Sequence, residues 1–139
     1  MMRAAGPLLE VYDLTRHFGG LAAVDGVSFA VERGEVLGLV GPNGSGKSTL
    51  LGLVSGRIAP MGGQVRLGGR PITGFTPEAV CRAGIAGTFQ LARIPDALDA
   101  RDNVAVAAMY GRRRLDVAPA RVEAERLLGR VGFAGGLSA

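Results

Sequence analysis

The sequence is poor in several residue types, and each shortage argues against a class of protein. It contains no tryptophan, and aromatic residues make up only 5% of its 139 residues. The one cysteine, Cys81, cannot form a disulfide within the chain. No run of about eighteen apolar residues is present to cross a membrane as a helix. The N-terminal segment reaches Glu10 too soon for a secretory leader. These features predict a cytoplasmic protein.

The net charge is also small, and lysine is scarce. The 16 basic and 12 acidic residues leave a net charge of +4, which is a mild excess for general nucleic-acid binding. A hydrophobic fraction of 47% and 23 glycines fit a glycine-punctuated α/β protein better than a disordered chain. The length suits one domain. Lys47 is the only lysine, because every other basic residue is arginine.

Three segments in the first third of the chain have strand patterns. Residues 8–15 and 27–31 alternate apolar and polar side chains, which predicts two half-buried strands that pair antiparallel. Residues 36–40 (VLGLV) form a continuous apolar run, which is typical of a strand covered on both faces in a parallel sheet. The third strand therefore needs neighbours on each side.

A glycine-rich loop follows and carries the clearest chemical motif. Residues 41–48 satisfy the pattern of a glycine, any four residues, and then Gly-Lys-Ser, and a helix is predicted over residues 47–55. Glycines let successive backbone N–H groups curl around a phosphate at a helix N-terminus. Lys47 is predicted to reach the β- and γ-phosphates, Ser48 to ligate Mg²⁺, and Thr49 to face the α-phosphate. The predicted loop residues are Gly41, Pro42, Asn43, Gly44, Ser45 and Gly46.

The rest of the chain alternates short strands and helices. A strand at residues 64–67 lies in a predicted outer hairpin, and another strand over 85–89 ends at Gln90, where side chains project into a site. Helices are predicted from Thr76 to Gly84, from a cap at Asp99 to about residue 111, and over 119–130.

The chain resembles the ATP-binding subunits of ABC transporters, through the stretches VDGVSFAVERGEVLGLVG and GPNGSGKSTLL and the glutamine at a strand end. The stretches LTRHFGGLAAVDGVSF, ITG and GIAGTFQ resemble the subunits of branched-chain amino-acid importers. The resemblance implies an α/β fold, an incomplete P-loop NTPase core with an N-terminal antiparallel β subdomain over about residues 1–90. The start of a helical subdomain is then expected over about 91–139.

The same resemblance implies further site residues and partners. Phe18 occupies the position of the aromatic residue that stacks on adenine, where a π-face is wanted, and Val24 that of a small residue touching the same base. Gln90 matches the glutamine that contacts Mg²⁺ or the attacking water. The implied cofactors are ATP and Mg²⁺. The implied partners are membrane permease subunits and a second ATP-binding subunit, on the inner face of the cell membrane.

The family's signature, catalytic glutamate and histidine switch are not found among these residues, so we assign no catalytic residue and expect no appreciable ATPase activity from this chain alone. One alternative is a module that binds the nucleotide without hydrolysis. Another is a nucleic-acid-associated ATPase of the same superfamily, suggested by Arg112, Arg113 and Arg114. Three neutralised phosphates give a salt slope of only about −2.7, so a solvated helix end is the preferred interpretation of these arginines and no nucleic-acid partner is expected.

Overall fold

The computed structural model describes residues 6–88 and 94–133, which fall into two compact units, Met1–Val80 and Cys81–Ala139. The boundary between the units lies within a short helix. In chain order the elements are β1 (Leu9–Phe18), β2 (Leu21–Val31), α1 (Lys47–Val54), β3 (Gly62–Leu67), β4 (Arg70–Pro71), α2 (Pro77–Ala83), α3 (Ala100–Tyr110) and α4 (Val117–Arg130).

The first unit contains one antiparallel sheet in the order β2-β1-β3-β4. Val11 lies opposite Phe29 on β2 and opposite Val65 on β3. Val11, Leu14 and Val65 are at most 2% exposed, so the alternating pattern of β1 does place apolar side chains in the core. The two predicted antiparallel strands and the outer hairpin of β3 and β4 are confirmed, although β1 and β2 are longer than the sequence predicts.

The strand predicted over residues 36–40 is not present. Val36 and Val40 are 95% and 94% exposed, and no residue of this segment has strand structure. A strand exists through hydrogen bonds to a neighbour, and all strands within the described ranges belong to the antiparallel sheet, none of them paired with this segment. The prediction from the apolar run is therefore wrong for this chain.

The strand predicted over 85–89 is also absent in its described part, residues 85–88. Here too the apolar pattern has no partner strand among the described residues. The preceding helix is confirmed as α2: the Thr76 hydroxyl oxygen accepts a hydrogen bond from the N–H of Ala79 at 3.4 Å. Phe89 and Gln90 lie outside the described residues.

In the second unit, α3 packs against α4 through small side chains. Ala105, Ala120 and Ala124 are at most 3% exposed and form the core of this contact. Asp99 caps α3 as predicted, because its Oδ1 accepts a hydrogen bond of 2.7 Å from the N–H of Asp102. α4 begins two residues earlier than the predicted start at Pro119. Both predicted helices are thus confirmed.

Ion pairs join α3 to α4, and two others involve Glu123 of α4. The Arg121 guanidinium donates to both carboxylate oxygens of Asp102 at 2.7 and 2.8 Å, and this hydrogen bonding holds the pKa of Asp102 below its usual value. Arg126 lowers the pKa of Glu123 in the same way. Arg113, from the arginine cluster, also pairs with Glu123 at 3.3 Å. Among residues 6–88 and 94–133, none of the helices could span a membrane.

Candidate phosphate-binding site

The glycine-rich loop leads directly into the N-terminus of α1. Gly46 immediately precedes the helix with φ 87° and ψ 0°, a left-handed conformation, and its carbonyl accepts a hydrogen bond of 2.8 Å from the N–H of Leu50. No side chain caps this helix end, and no acidic residue stands in its first turn. The first N–H groups of α1 therefore keep their capacity to bind an anion, and the helix dipole places partial positive charge there.

Lys47 folds back over the loop that precedes it. Its Nζ donates hydrogen bonds to the carbonyl oxygens of Gly41 at 2.7 Å and Pro42 at 2.6 Å, with Ser45 Oγ at 3.4 Å. An ammonium group has three donors and no acceptor, so these three oxygens match its capacity. The contacts close the loop into a ring that holds one full positive charge beside the start of α1.

Two glycines of the loop stand where a side chain does not fit. A Cβ on Gly41 would lie 2.7 Å from Ser45 Oγ. A Cβ on Gly46 would overlap the backbone carbonyl oxygen of Ala23 on β2 and would lie 3.6 Å from a methyl group of Val24. The loop therefore packs directly on β2, and this contact places Val24, which is 5% exposed, beside the loop.

Phe18 ends β1 and lies opposite Leu21 in the β1–β2 pair. Its side chain stays 45% exposed. The guanidinium of Arg16 lies over the ring, with Cζ 4.9 Å from the ring centroid. Arg16 is in turn the cross-strand partner of Val24. The structure thus brings both residues of the predicted adenine site onto one two-stranded ribbon, together with an arginine that sequence reasoning missed.

The other predicted site residues that the structure describes lie in the loop and in the first turn of α1. Ser48 is exposed and Thr49 half-buried in the first turn of α1, while Pro42, Asn43 and Gly44 are exposed in the loop. Gln90 lies outside the described residues. Within residues 6–88 and 94–133, no group of three or more His, Cys, Asp or Glu side chains could hold a metal ion. Of the two predicted Mg²⁺ ligands, only Ser48 can be located.

The site has the properties that a phosphate chain requires. Its donors are backbone N–H groups at an uncapped helix end and the ammonium of Lys47, and its glycines allow a close approach. A nucleotide triphosphate fits this donor set, because residues 41–48 include no acidic side chain that would repel it. A hydroxyl such as that of Ser48 is an oxygen ligand of the kind Mg²⁺ accepts alongside phosphate oxygens.

Comparison with known proteins shows which family this chain is similar to. Residues 24–137 match the family described as ABC transporter. The chain is 43% identical over 101 residues to a high-affinity branched-chain amino acid transport ATP-binding protein, BraF, of Pseudomonas aeruginosa, a match covering 73% of the chain and 40% of that protein. It is 39% identical over 126 residues to the ribose import ATP-binding protein RbsA of Chelativorans sp., covering 90% of the chain and 24% of that protein.

A solved structure shows the same fold. A nucleotide-free ATP-binding cassette from an ABC transporter superposes with a TM-score of 0.78 at 26% identity, covering 93% of this chain and 55% of that one. The likeness confirms that the antiparallel sheet, loop and helices form part of a P-loop NTPase fold. The chain spans less than half the length of the two curated relatives, BraF and RbsA.

Proposed function

Because the chain belongs to the ABC transporter family, we propose that its residues 41–49 bind Mg-ATP as part of the ATP-binding subunit of an importer. The observation that carries the proposal is the position of Lys47, whose ammonium lies in the curve of a glycine loop at the uncapped start of α1. A phosphate oxygen can replace the two carbonyl oxygens that the ammonium now contacts, and it offers a full negative charge in exchange.

Each part of the nucleotide has residues to receive it in this proposal. The backbone N–H groups of the loop and the ammonium of Lys47 hold the β- and γ-phosphates, and Thr49 faces the α-phosphate. Ser48, joined by Gln90, ligates Mg²⁺, which supplies charge neutralisation between the phosphates when bound. Phe18 and Val24 receive the adenine.

The solute and the partners follow from the relatives. BraF is named for branched-chain amino-acid transport, and we infer import of these amino acids or of related small solutes. The partners in this proposal are membrane permease subunits and a second ATP-binding subunit, so the protein works peripherally on the inner face of the cell membrane. Disrupting the gene is expected to lower leucine uptake and to leave ribose uptake unchanged. Loss of ribose uptake alone would contradict the solute assignment.

Nucleotide binding is tested by ligand-dependent stability. Mg-ATP at about 100 times its Kd adds about 2.7 kcal/mol to the free energy of unfolding of a protein with one site. We expect this stabilisation for the wild-type chain and its loss in Lys47→Ala. Arg70→Ala, which removes one exposed positive charge from β4, is the matched control and should keep the stabilisation. An unfolding transition that ignores Mg-ATP in the wild-type chain would refute the proposal.

A further inference from the structure

Arg16 is placed to control how a base stacks on the Phe18 ring. Its guanidinium lies over one face of the Phe18 ring at 4.9 Å, within the range of a cation–π contact. A flat base that stacks on the ring needs a free face. Phe18 is 45% exposed and Arg16 covers one side of its ring, so a base could stack on the ring only from the side that the arginine does not cover.

The guanidinium is itself fixed by the backbone. One of its terminal nitrogens donates a hydrogen bond of 3.1 Å to the carbonyl oxygen of Ala59, in the segment that follows α1. That segment is attached to β1 by a hydrogen bond of 2.9 Å from the N–H of Met61 to the carbonyl oxygen of Thr15. Arg16 therefore does not lie over Phe18 as a loose surface side chain.

A second guanidinium nitrogen of Arg16 supports the same interpretation. Its Nε is buried and has no hydrogen-bond partner among the described residues. A buried donor without a partner costs free energy. Hydrogen bonding of the guanidinium alone therefore does not explain the position of this side chain. The two contacts that do hold it are the Ala59 carbonyl and the aromatic ring.

From this geometry we propose that Arg16 is a positioning residue for the base: it backs Phe18, fixes the angle of the ring and leaves only the opposite face for adenine. The inference rests on the proposed function, because it assigns a role within the same nucleotide site. The cation also draws π density toward itself, which makes the opposite face a better partner for an electron-rich purine. The phosphate loop is not involved in this role.

The test separates the base from the phosphates. Binding of Mg-ATP and of magnesium with inorganic triphosphate is measured by calorimetry for the intact chain, and the ratio of the two dissociation constants reports what adenosine contributes. We expect Arg16→Ala to weaken ATP binding by up to about threefold, because the cost of orienting a free ring on binding is at most that of one exposed cation–π contact, with triphosphate binding unchanged. Phe18→Ala should weaken ATP binding further, again without changing triphosphate binding, and Arg16→Lys, which keeps a cation, should restore part of the affinity for ATP.

Arg66→Ala is the matched control. Arg66 lies over the ring of Tyr12 with Cζ 5.8 Å from the centroid, so the variant removes a similar contact from the same sheet, on β3. Its ratio should equal that of the wild type. An unchanged ratio in Arg16→Ala or in Phe18→Ala, or an equal loss of ATP and triphosphate binding in Arg16→Ala, overturns the positioning role. Wild-type protein that binds neither ligand overturns the proposed function itself.

Discussion

Replacing Gly46 by alanine tests whether the loop depends on its contact with β2. Gly46 has φ 87°, and a left-handed conformation costs a residue with a Cβ about 1–2 kcal/mol. The new Cβ would also meet the carbonyl oxygen of Ala23, which belongs to a strand backbone and cannot rotate away. Overpacking of this kind costs about 1–3 kcal/mol. We therefore expect Gly46→Ala to lower the free energy of unfolding by roughly 2–5 kcal/mol.

Two other glycines supply matched controls. Gly44 has φ 82°, but a Cβ added there would have no neighbour within 4 Å, so Gly44→Ala should incur the backbone strain alone. Gly38 has neither a positive φ nor a neighbour within 4 Å, and Gly38→Ala should be close to neutral. The difference between Gly46→Ala and Gly44→Ala then isolates the Ala23 contact, at about 1–3 kcal/mol.

The measurement has to report on the first unit alone. The chain has two tyrosines and no tryptophan, and Tyr12 lies on β1 whereas Tyr110 ends α3. In a Tyr110→Phe background, tyrosine fluorescence during urea unfolding follows the unit that contains the loop. If Gly46→Ala unfolds at the same urea concentration as Gly44→Ala, the loop does not rest on β2 and the reasoning is refuted.

Two further predictions concern α3 and α4. The pKa of Asp102 is held low in the folded state by Arg121, so the contribution of Asp102 to the free energy of unfolding is complete above its unfolded pKa of about 4 and is lost as the pH falls through the folded value. Tyr110 fluorescence in a Tyr12→Phe background should show this loss of stability in urea titrations at acid pH. Arg121→Ala should flatten the pH dependence, and equal pH profiles for the two proteins would contradict the assignment. Asp99→Ala removes the cap on the N–H of Asp102 and should lower the free energy of unfolding by about 1 kcal/mol, while Asp99→Asn should recover most of it; an unchanged urea midpoint in Asp99→Ala would argue against the cap.

The predictions that succeeded rest on signals carried by neighbouring residues. Asp99 caps α3 with its own side chain, and the alternation of β1 is completed by β2 only a short turn away. The predictions over residues 36–40 and 85–88 failed because an apolar run only records that a segment is suited to burial. The hydrogen bonds that make a parallel strand come from chain far away in sequence, and no described residues supply them.

The contact between the Arg16 and Phe18 side chains was not predicted from the sequence, for a different reason. Residues two apart share a face of a regular strand, but the pairing of β1 with β2 shifts register on both sides of Arg16. Such irregularities change which side chains meet, and the sequence has no clear mark for them. The loop glycines were easier to interpret, because a left-handed residue before a helix leaves few alternatives to glycine.

The phosphate-binding loop and the base-binding residues of the candidate site both depend on β2. A strand before the loop is the expected anchor in a P-loop, yet residues 36–40 have no strand structure here, while Lys47 still closes on Gly41 and Pro42. What fixes the loop instead is the contact of Gly46 with Ala23 on β2. Arg16, which backs Phe18, is paired with Val24, the next residue of the same strand. A shift of β2 would therefore disturb the phosphate and base contacts together, so Gly46→Ala should weaken ATP more than inorganic triphosphate, because only ATP uses both.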